Sequence, residues 1–476
     1  MQTSNGVKIQ DLTIAQAHQG LVNKEFSSVE LCKAYLEKIR EKDKDIFAFL
    51  SVIEETALKQ AEEVDDIIKR GENIPVLAGI PCAVKDNIMV EGLKCTAASK
   101  ILENYVALYE ATVVRKLKKE KAVILGKTNL DEFAMGASGE NSAFGPTKNP
   151  CDLTRVTGGS SSGSAAAVAA DMAVYALGSD TAGSIRYPAS LCGVVGLRPT
   201  YGAVSRFGLI AMASSLDQIG PLTKNIDDCK IVFDVIRGKD QMDSTSVDMR
   251  VENNGLKIKG LKIGVPKEYF VKEVDKEVEK IVKEAIKKYE AMGAKIMEVS
   301  LPHTDYAIAT YYIIMPCEIS ANLARYDGIK YGHQDKSSND LMEVYLRSRG
   351  RGLGDEVRRR IILGTYALSS GYYDAYYLKA QKVRTLVRQD FEKAFKKVDV
   401  LMTPVAPTPA FKLGEKIKDP LQMYLCDVFT GPVSLAGLPA VSLPVGKIDN
   451  LPVGLQIIGK PFEEDKILEI SKLYAL

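Results

Sequence analysis

Residues 158–170 leave this chain few ways to fold. Gly158, Gly159, Ser160, Ser161, Ser162, Gly163 and Ser164 run directly into Ala165, Ala166, Ala167, Val168, Ala169 and Ala170. A helix begun by such a run carries little side-chain bulk, so it holds only when other elements pack tightly against it. The loop before it is flexible backbone dense in hydroxyls. A site needs such backbone where main-chain N–H groups must come close to a substrate oxygen. A second short motif follows at Asp180, Thr181, Ala182, Gly183, Ser184, Ile185 and Arg186. A single Gly/Ser cluster is more often a surface loop. Two in succession suggest acyl-transfer chemistry built on serine.

A phosphate-cradling loop is the rival reading, and it fails on charge. Gly158 and Gly163 have the Walker spacing, but Ser164 stands where the phosphate-binding lysine belongs. Gly126, Lys127 and Thr128 supply the lysine, but Lys121 occupies the position of the upstream glycine.

The chain has 476 residues, 63 basic and 61 acidic, for a formal net charge of +2. That balance offers no electrostatic reason for nucleic acid or membrane as a direct partner. Apolar residues make up 46%, enough for a large core rather than disorder. The eight cysteines are scattered with no C-x-x-C pair, the pattern of reduced thiols in a cytoplasmic protein. No signal peptide and no apolar run of membrane-spanning length are expected.

Periodicity predicts a largely alternating α/β chain. Ser27, Ser28, Val29 and Glu30 form a capping-box pattern, with Leu31, Tyr35 and Ile39 on one face behind it. A second helix is expected over 54–70, ending near Gly71, and a short helix over 112–119. Strands are expected at 80–84, 122–125, 261–265, 398–402, 440–443 and 455–458. A long helix carries Val274, Val278, Ile281, Ala285, Tyr289 and Met292 and stops at Gly293. The polar stretch 240–254 reads as a surface excursion, and the proline-rich 404–409 as a rigid loop. With no repeat and no clean linker, the expected fold is one large α/β domain with a mixed central sheet covered by helices. Within it, 1–70 is an N-terminal helical region, 71–230 a core carrying the chemistry, and 255–476 the remainder of the sheet and the substrate pocket.

Serine needs a group to take its proton. The three histidines, His18, His303 and His333, are few and far from the Gly/Ser loops in sequence. Lys85 is the alternative. It follows the apolar run 81–84, so it falls at a strand end, where α/β sites are built, and is expected to be half-buried there. A strand-end lysine reaching solvent is the equal competitor.

Residues 79–87, the Gly/Ser loop and residues 180–186 together resemble the amidase signature family, and the likeness extends over nearly the whole chain. Segments 127–136, 141–146, 213–221 and 368–377 are similar to its glutamine-hydrolysing branch, the A subunits of tRNA-dependent amidotransferases. The resemblance implies a Ser–cis-Ser–Lys triad, with Ser184 as nucleophile, Ser160 as relay and Lys85 as base. It implies an oxyanion hole of backbone N–H groups at Thr181, Ala182, Gly183 and Ser184. It also implies that Arg360 receives the α-carboxylate of L-glutamine and Asp427 its α-amino group, while Tyr311 lines the pocket. No metal or cofactor is implied for this chain. ATP and Mg2+ would belong to a partner, as would most contact with the tRNA, and the B and C subunits of such an amidotransferase would be the partners. The product would be ammonia for amidating Glu-tRNA(Gln), Asp-tRNA(Asn) or both.

The chain departs from that family pattern at sensitive places. Ser162 stands where glycine is common, Ala182 where glycine is usual, and Gly139 where threonine is usual. Ala203 replaces an arginine, and Gly431 and Ser434 replace bulkier or amide residues. If position 182 required a positive φ, alanine would cost on the order of 1 kcal/mol there. These departures keep open two other readings, a free-standing amidase of small or aryl amides and a weakly active scaffold protein.

Overall fold

The computed structural model describes residues 12–248, 258–271, 274–337 and 339–474. Its strands, in chain order, are β1 (Phe49–Val52), β2 (Pro81–Lys85), β3 (Val123–Thr128), β4 (Lys148–Asn149), β5 (Asp152–Val156), β6 (Tyr175–Asp180), β7 (Val195–Arg198), β8 (Gln218–Thr223), β9 (Lys262–Pro266), β10 (Lys295–Val299), β11 (Val400–Pro404), β12 (Ala440–Ile448) and β13 (Leu451–Ile458). Eleven of them form one sheet in the order β1-β3-β2-β6-β8-β7-β12-β13-β11-β9-β10, and β4 and β5 pair as a separate ribbon. The sheet is mixed. β3, β2 and β6 run parallel at one end and β11, β9 and β10 at the other, with antiparallel pairs between. The expected single α/β architecture is therefore present.

Local chemistry explains the element ends. Ser27 caps the helix Ser28–Ile46 in a reciprocal capping box with Glu30, as the pattern predicts. The helix Glu54–Lys69 stops at Arg70 and Gly71, whose φ is +75°. The helix Lys276–Ala291 buries Val278, Val282, Ala285, Ile286 and Tyr289, and Gly293 follows it at φ +103°. Met292 lies outside the helix and is exposed, while Val282 and Ile286 join the buried stripe without having been expected there. The first 70 residues are not purely helical, since β1 pairs antiparallel with β3 at the sheet edge. Part of the polar stretch 240–254 lies outside the described residues; 240–248 is irregular backbone.

The small-residue helix runs from Ser162 to Ala169, so it begins inside the Gly/Ser loop rather than after it. All but its last residue are buried. Gly163 shows why its start must be small: a Cβ there would lie 2.2 Å from the Ala48 carbonyl oxygen and 2.6 Å from the Asn129 nitrogen. This close seat sets the Gly/Ser loop against the C-terminal ends of β2 and β6. Among the described residues no helix is long and apolar enough to cross a membrane.

Candidate active site

Lys85 ends β2, flanked on both sides by parallel strands, and is completely buried rather than half-buried. Its Nζ meets Ser160 Oγ at 2.8 Å, Ser179 Oγ at 2.9 Å, Ser161 Oγ at 3.0 Å and the Ser179 carbonyl at 3.3 Å. No carboxylate bonds to it among the described residues. Burial therefore dominates and pushes the amine down to about 7, against the smaller opposing pull of Asp131, Asp180 and Asp217. The neighbouring strand supplies the contrast. Lys127 is equally buried, but its Nζ lies 3.0 Å from Asp86 Oδ1, and that pair keeps it charged despite burial. Of the two lysines, only Lys85 is placed to hold a lone pair near neutral pH.

Ser160 follows Gly159 through a cis peptide bond. Its position is fixed from two sides: the Asp131 N–H donates to the Ser160 carbonyl at 3.3 Å, and the next residue, Ser161, donates its N–H to the Ser184 carbonyl at 3.0 Å. That second bond ties the two serine motifs together. Ser184 is buried, and its hydroxyl makes no hydrogen bond among the described residues, so it is free to turn. The backbone N–H groups of Thr181, Ala182, Gly183 and Ser184 likewise have no acceptor among the described residues. Four adjacent unpaired donors in a buried loop are costly unless they serve an oxygen that arrives later.

The loop is held from behind. The Asp180 carboxylate meets Arg186 Nη2 and Arg198 Nη1, each at 3.0 Å, with all three side chains fully buried. Burial alone would raise this acid, but the two guanidinium groups hold it well below the usual carboxylate range. Arg186 reaches on to Gln456 Oε1 on β13 at 2.6 Å and to Ser434 Oγ at 2.8 Å. Ser434 in turn donates to the Ala182 carbonyl at 2.8 Å, so this departure from the family pattern braces the segment 181–184. A Cβ on Gly183 would fall 2.2 Å from Thr430 Oγ1, which leaves room only for glycine.

Ala182 does not adopt a positive φ, so the penalty tied to that condition does not apply. Two other departures explain each other. A Cβ on Gly139, at φ +83°, would stand 2.6 Å from the Ser162 Cβ. The Ser162 side chain, together with Thr157 Oγ1 at 2.7 Å from the same point, fills the space that a larger residue at 139 would need.

Arg360 projects from the helix Asp355–Leu368 into the interior. Its Nε donates to Glu356 Oε1 at 2.8 Å, and its guanidinium carbon stands 5.5 and 5.6 Å from the ring centroids of Tyr312 and Tyr424. Those rings stack with centroids 3.8 Å apart. The terminal nitrogens have no oxygen acceptor among the described residues; Nη1 meets only Met315 Sδ at 3.6 Å. Arg360, Glu356 and Tyr424 also line a cavity of about 280 Å³ shared with Glu132 and Asn141. Asp427 accepts a 2.8 Å bond from the Tyr312 hydroxyl and is pushed up to about 6 by burial, against the pull of that bond and of Arg360. Tyr311 is buried edge-on against Tyr312, with centroids 5.0 Å apart, and hydrogen-bonds neither Arg360 nor Asp427. Tyr312, Tyr424 and Glu356, which the sequence did not single out, make those contacts. Glu356 had a signal, its i,i+4 spacing to Arg360. Tyr424 had none, because it comes from a segment more than 60 residues away in sequence. The histidines stand elsewhere: His303 pairs with Asp390, His18 faces the Ile74 carbonyl, and the His333 N–H donates to Ile101.

Comparison with known proteins identifies the family. The amidase family model matches residues 30–468. The A subunit of the glutamyl-tRNA(Gln) amidotransferase of Carboxydothermus hydrogenoformans is 57% identical over 455 residues, 95% of this chain and 94% of the relative. That of Caldanaerobacter subterraneus is also 57% identical, over 98% and 96%. The solved structure of the corresponding protein from Thermotoga maritima superposes with a TM-score of 0.80 at 44% identity, covering 98% of this chain and 94% of that one. With its buried Lys85, its two linked serine loops and these full-length relatives, the chain belongs to the amidase family.

Proposed function

We propose that this chain is the glutamine-hydrolysing component of a tRNA-dependent amidotransferase. The observation that carries the reading is the juxtaposition of a buried lysine on Ser160 with four unpaired backbone donors ending at Ser184. The names of the 57%-identical relatives supply the branch. Arg360, charged but short of oxygen acceptors, suits a carboxylate, and Asp427 suits an ammonium group, so a free amino acid fits better than a simple amide.

In this mechanism neutral Lys85 accepts the Ser160 proton as Ser160 takes that of Ser184. The Ser184 oxygen then bonds to the side-chain carbonyl carbon of glutamine. The resulting oxyanion is received by the N–H groups of 181–184, where loss of one such donor raises the barrier by about 2.7–4 kcal/mol. Lys85, now protonated, returns a proton through Ser160 to the nitrogen. The C–N bond breaks, and ammonia leaves a glutamyl ester on Ser184. Water, deprotonated by the same path, adds to the ester; glutamate departs and Ser184 regains its proton. The ammonia passes to partner subunits that hold ATP, Mg2+ and the misacylated tRNA; the near-neutral charge of this chain leaves the RNA to them.

The test is ammonia release from glutamine by the chain assembled with its partners. Ser184→Ala and Lys85→Ala should each abolish it, while free ammonium still supports amidation of the tRNA. Activity surviving in Ser184→Ala would reject the assignment. Hydrolysis of small or aryl amides in preference to glutamine would favour a free-standing amidase instead.

A further inference from the structure

The oxygens around Lys85 outnumber what a neutral amine can serve, and that count assigns a role to a residue outside the triad. A neutral lysine has two N–H bonds and one lone pair. To act as a base it must turn the lone pair, not an N–H, toward Ser160. Three other oxygens surround Nζ: Ser161 Oγ, Ser179 Oγ and the Ser179 carbonyl.

Ser161 can meet the lysine only as an acceptor. Its own proton goes to the Ser179 carbonyl at 3.1 Å, and it also receives the Ser179 N–H at 3.2 Å. One N–H of Lys85 is accounted for there. The second faces Ser179, which presents its hydroxyl at 2.9 Å and its carbonyl at 3.3 Å. The side chain of Asn87 pins the Ser179 hydroxyl from the far side, Nδ2 lying 3.0 Å from Oγ. The Asn87 Oδ1 atom is buried without a partner. Amide nitrogen and oxygen are assigned from their hydrogen-bond network. Turning the amide would only move the orphaned atom from Oδ1 to Nδ2, so Nδ2 stays toward Ser179, whose hydroxyl oxygen has two lone pairs and accepts both this N–H and one from Lys85. Ser160, by contrast, has no other partner for its proton among the described residues.

We propose that Ser179, held by Asn87, is a positioning residue for the reaction: with Ser161 it takes both N–H groups of Lys85 and leaves the lone pair to Ser160. This rests on the triad described above, and the experiment separates the two. Ser179→Ala, Ser179→Thr and Lys85→Ala are compared in the full chain with its partners. The readouts are kcat, KM and the pH profile for glutamine, with thermal unfolding to exclude unfolded variants.

Ser179→Ala should lower kcat about 10- to 100-fold with KM within about twofold, as for a misdirected general base. Because Ser179 accepts from the charged form, its loss should move the acid limb of the profile to lower pH even as the plateau falls. Ser179→Thr keeps the hydroxyl and should restore most of kcat. Unchanged kcat in Ser179→Ala, beside an inactive Lys85→Ala, would overturn the role of Ser179 alone. So would a fall in kcat with the limb moved to higher pH, the mark of water reaching the lysine. An active Lys85→Ala would instead overturn the triad.

Discussion

Lys85 and Lys127 are both fully buried on adjacent parallel strands, yet they end in opposite states. Asp86 sits against Lys127, whereas hydroxyls sit against Lys85. A rate that depends on neutral Lys85 should therefore rise with pH through about 7, as the amine loses its proton. Asp427 adds a second condition, since its carboxylate forms as pH rises through about 6. For glutamine, the logarithm of kcat/KM should climb with a slope near 2 below the lower of these and near 1 between them. An amide lacking the α-amino group should show only the Lys85 limb. A pH profile with each substrate checks this, and identical profiles would remove Asp427 from amino-group recognition. The paired departures at 139 and 162 make a second residue-scale case. Gly139→Ala should destabilise the fold by about 1–3 kcal/mol through overpacking and its left-handed φ. Adding Ser162→Gly should recover only the part of the packing cost that Ser162 sets, since Thr157 Oγ1 still stands 2.7 Å from that Cβ, and a double-mutant cycle in denaturant would measure it. Strictly additive costs would show that the two side-chain positions do not compete for space.

At the scale of elements, the segment 181–184 is held by what surrounds it. Asp180 at the end of β6 bridges Arg186 and Arg198, and Arg186 carries the connection to β13 and to the helix Gly431–Leu435. Asp180→Asn would leave two buried cations without their counter-charge and should cost about 3–5 kcal/mol, read as a lower denaturation midpoint. A loss under about 1 kcal/mol would mean that water or another acid compensates. The sequence made much of this level legible. The capping box at Ser27 and Glu30, the stops at Gly71 and Gly293 and the apolar strand before Lys85 all carry short-range signals. Two things were not legible for the same reason. The helix Ser162–Ala169 starts inside the Gly/Ser loop because Ala48 and Asn129 press on Gly163, and Lys85 is wholly rather than partly buried because two strands flank it. Both effects come from residues distant in sequence, which local periodicity does not register.

At the scale of the whole molecule, the order of the eleven strands follows from contacts that no motif encodes, such as β7 beside β12. The two serine loops and Lys85 were visible as motifs; the aromatic and acidic setting of Arg360 required the fold to bring residues 312, 356 and 424 together. The proposed function also makes a prediction for the intact assembly. Purified gently from its native cell, this chain should carry two other proteins in fixed ratio, one large, ATP-dependent and tRNA-binding, the other small. A lone chain that still hydrolyses amides would contradict the transferase reading while leaving the amidase chemistry in place.

The most direct measurement is chemical. The assembled protein is mixed with glutamine, quenched in acid within a turnover, digested, and searched by tandem mass spectrometry for a glutamyl ester. The account predicts that ester on Ser184, and its absence when Lys85 is replaced by alanine. An ester on Ser160 or Ser161, or glutamate formed with no ester on Ser184, would contradict it.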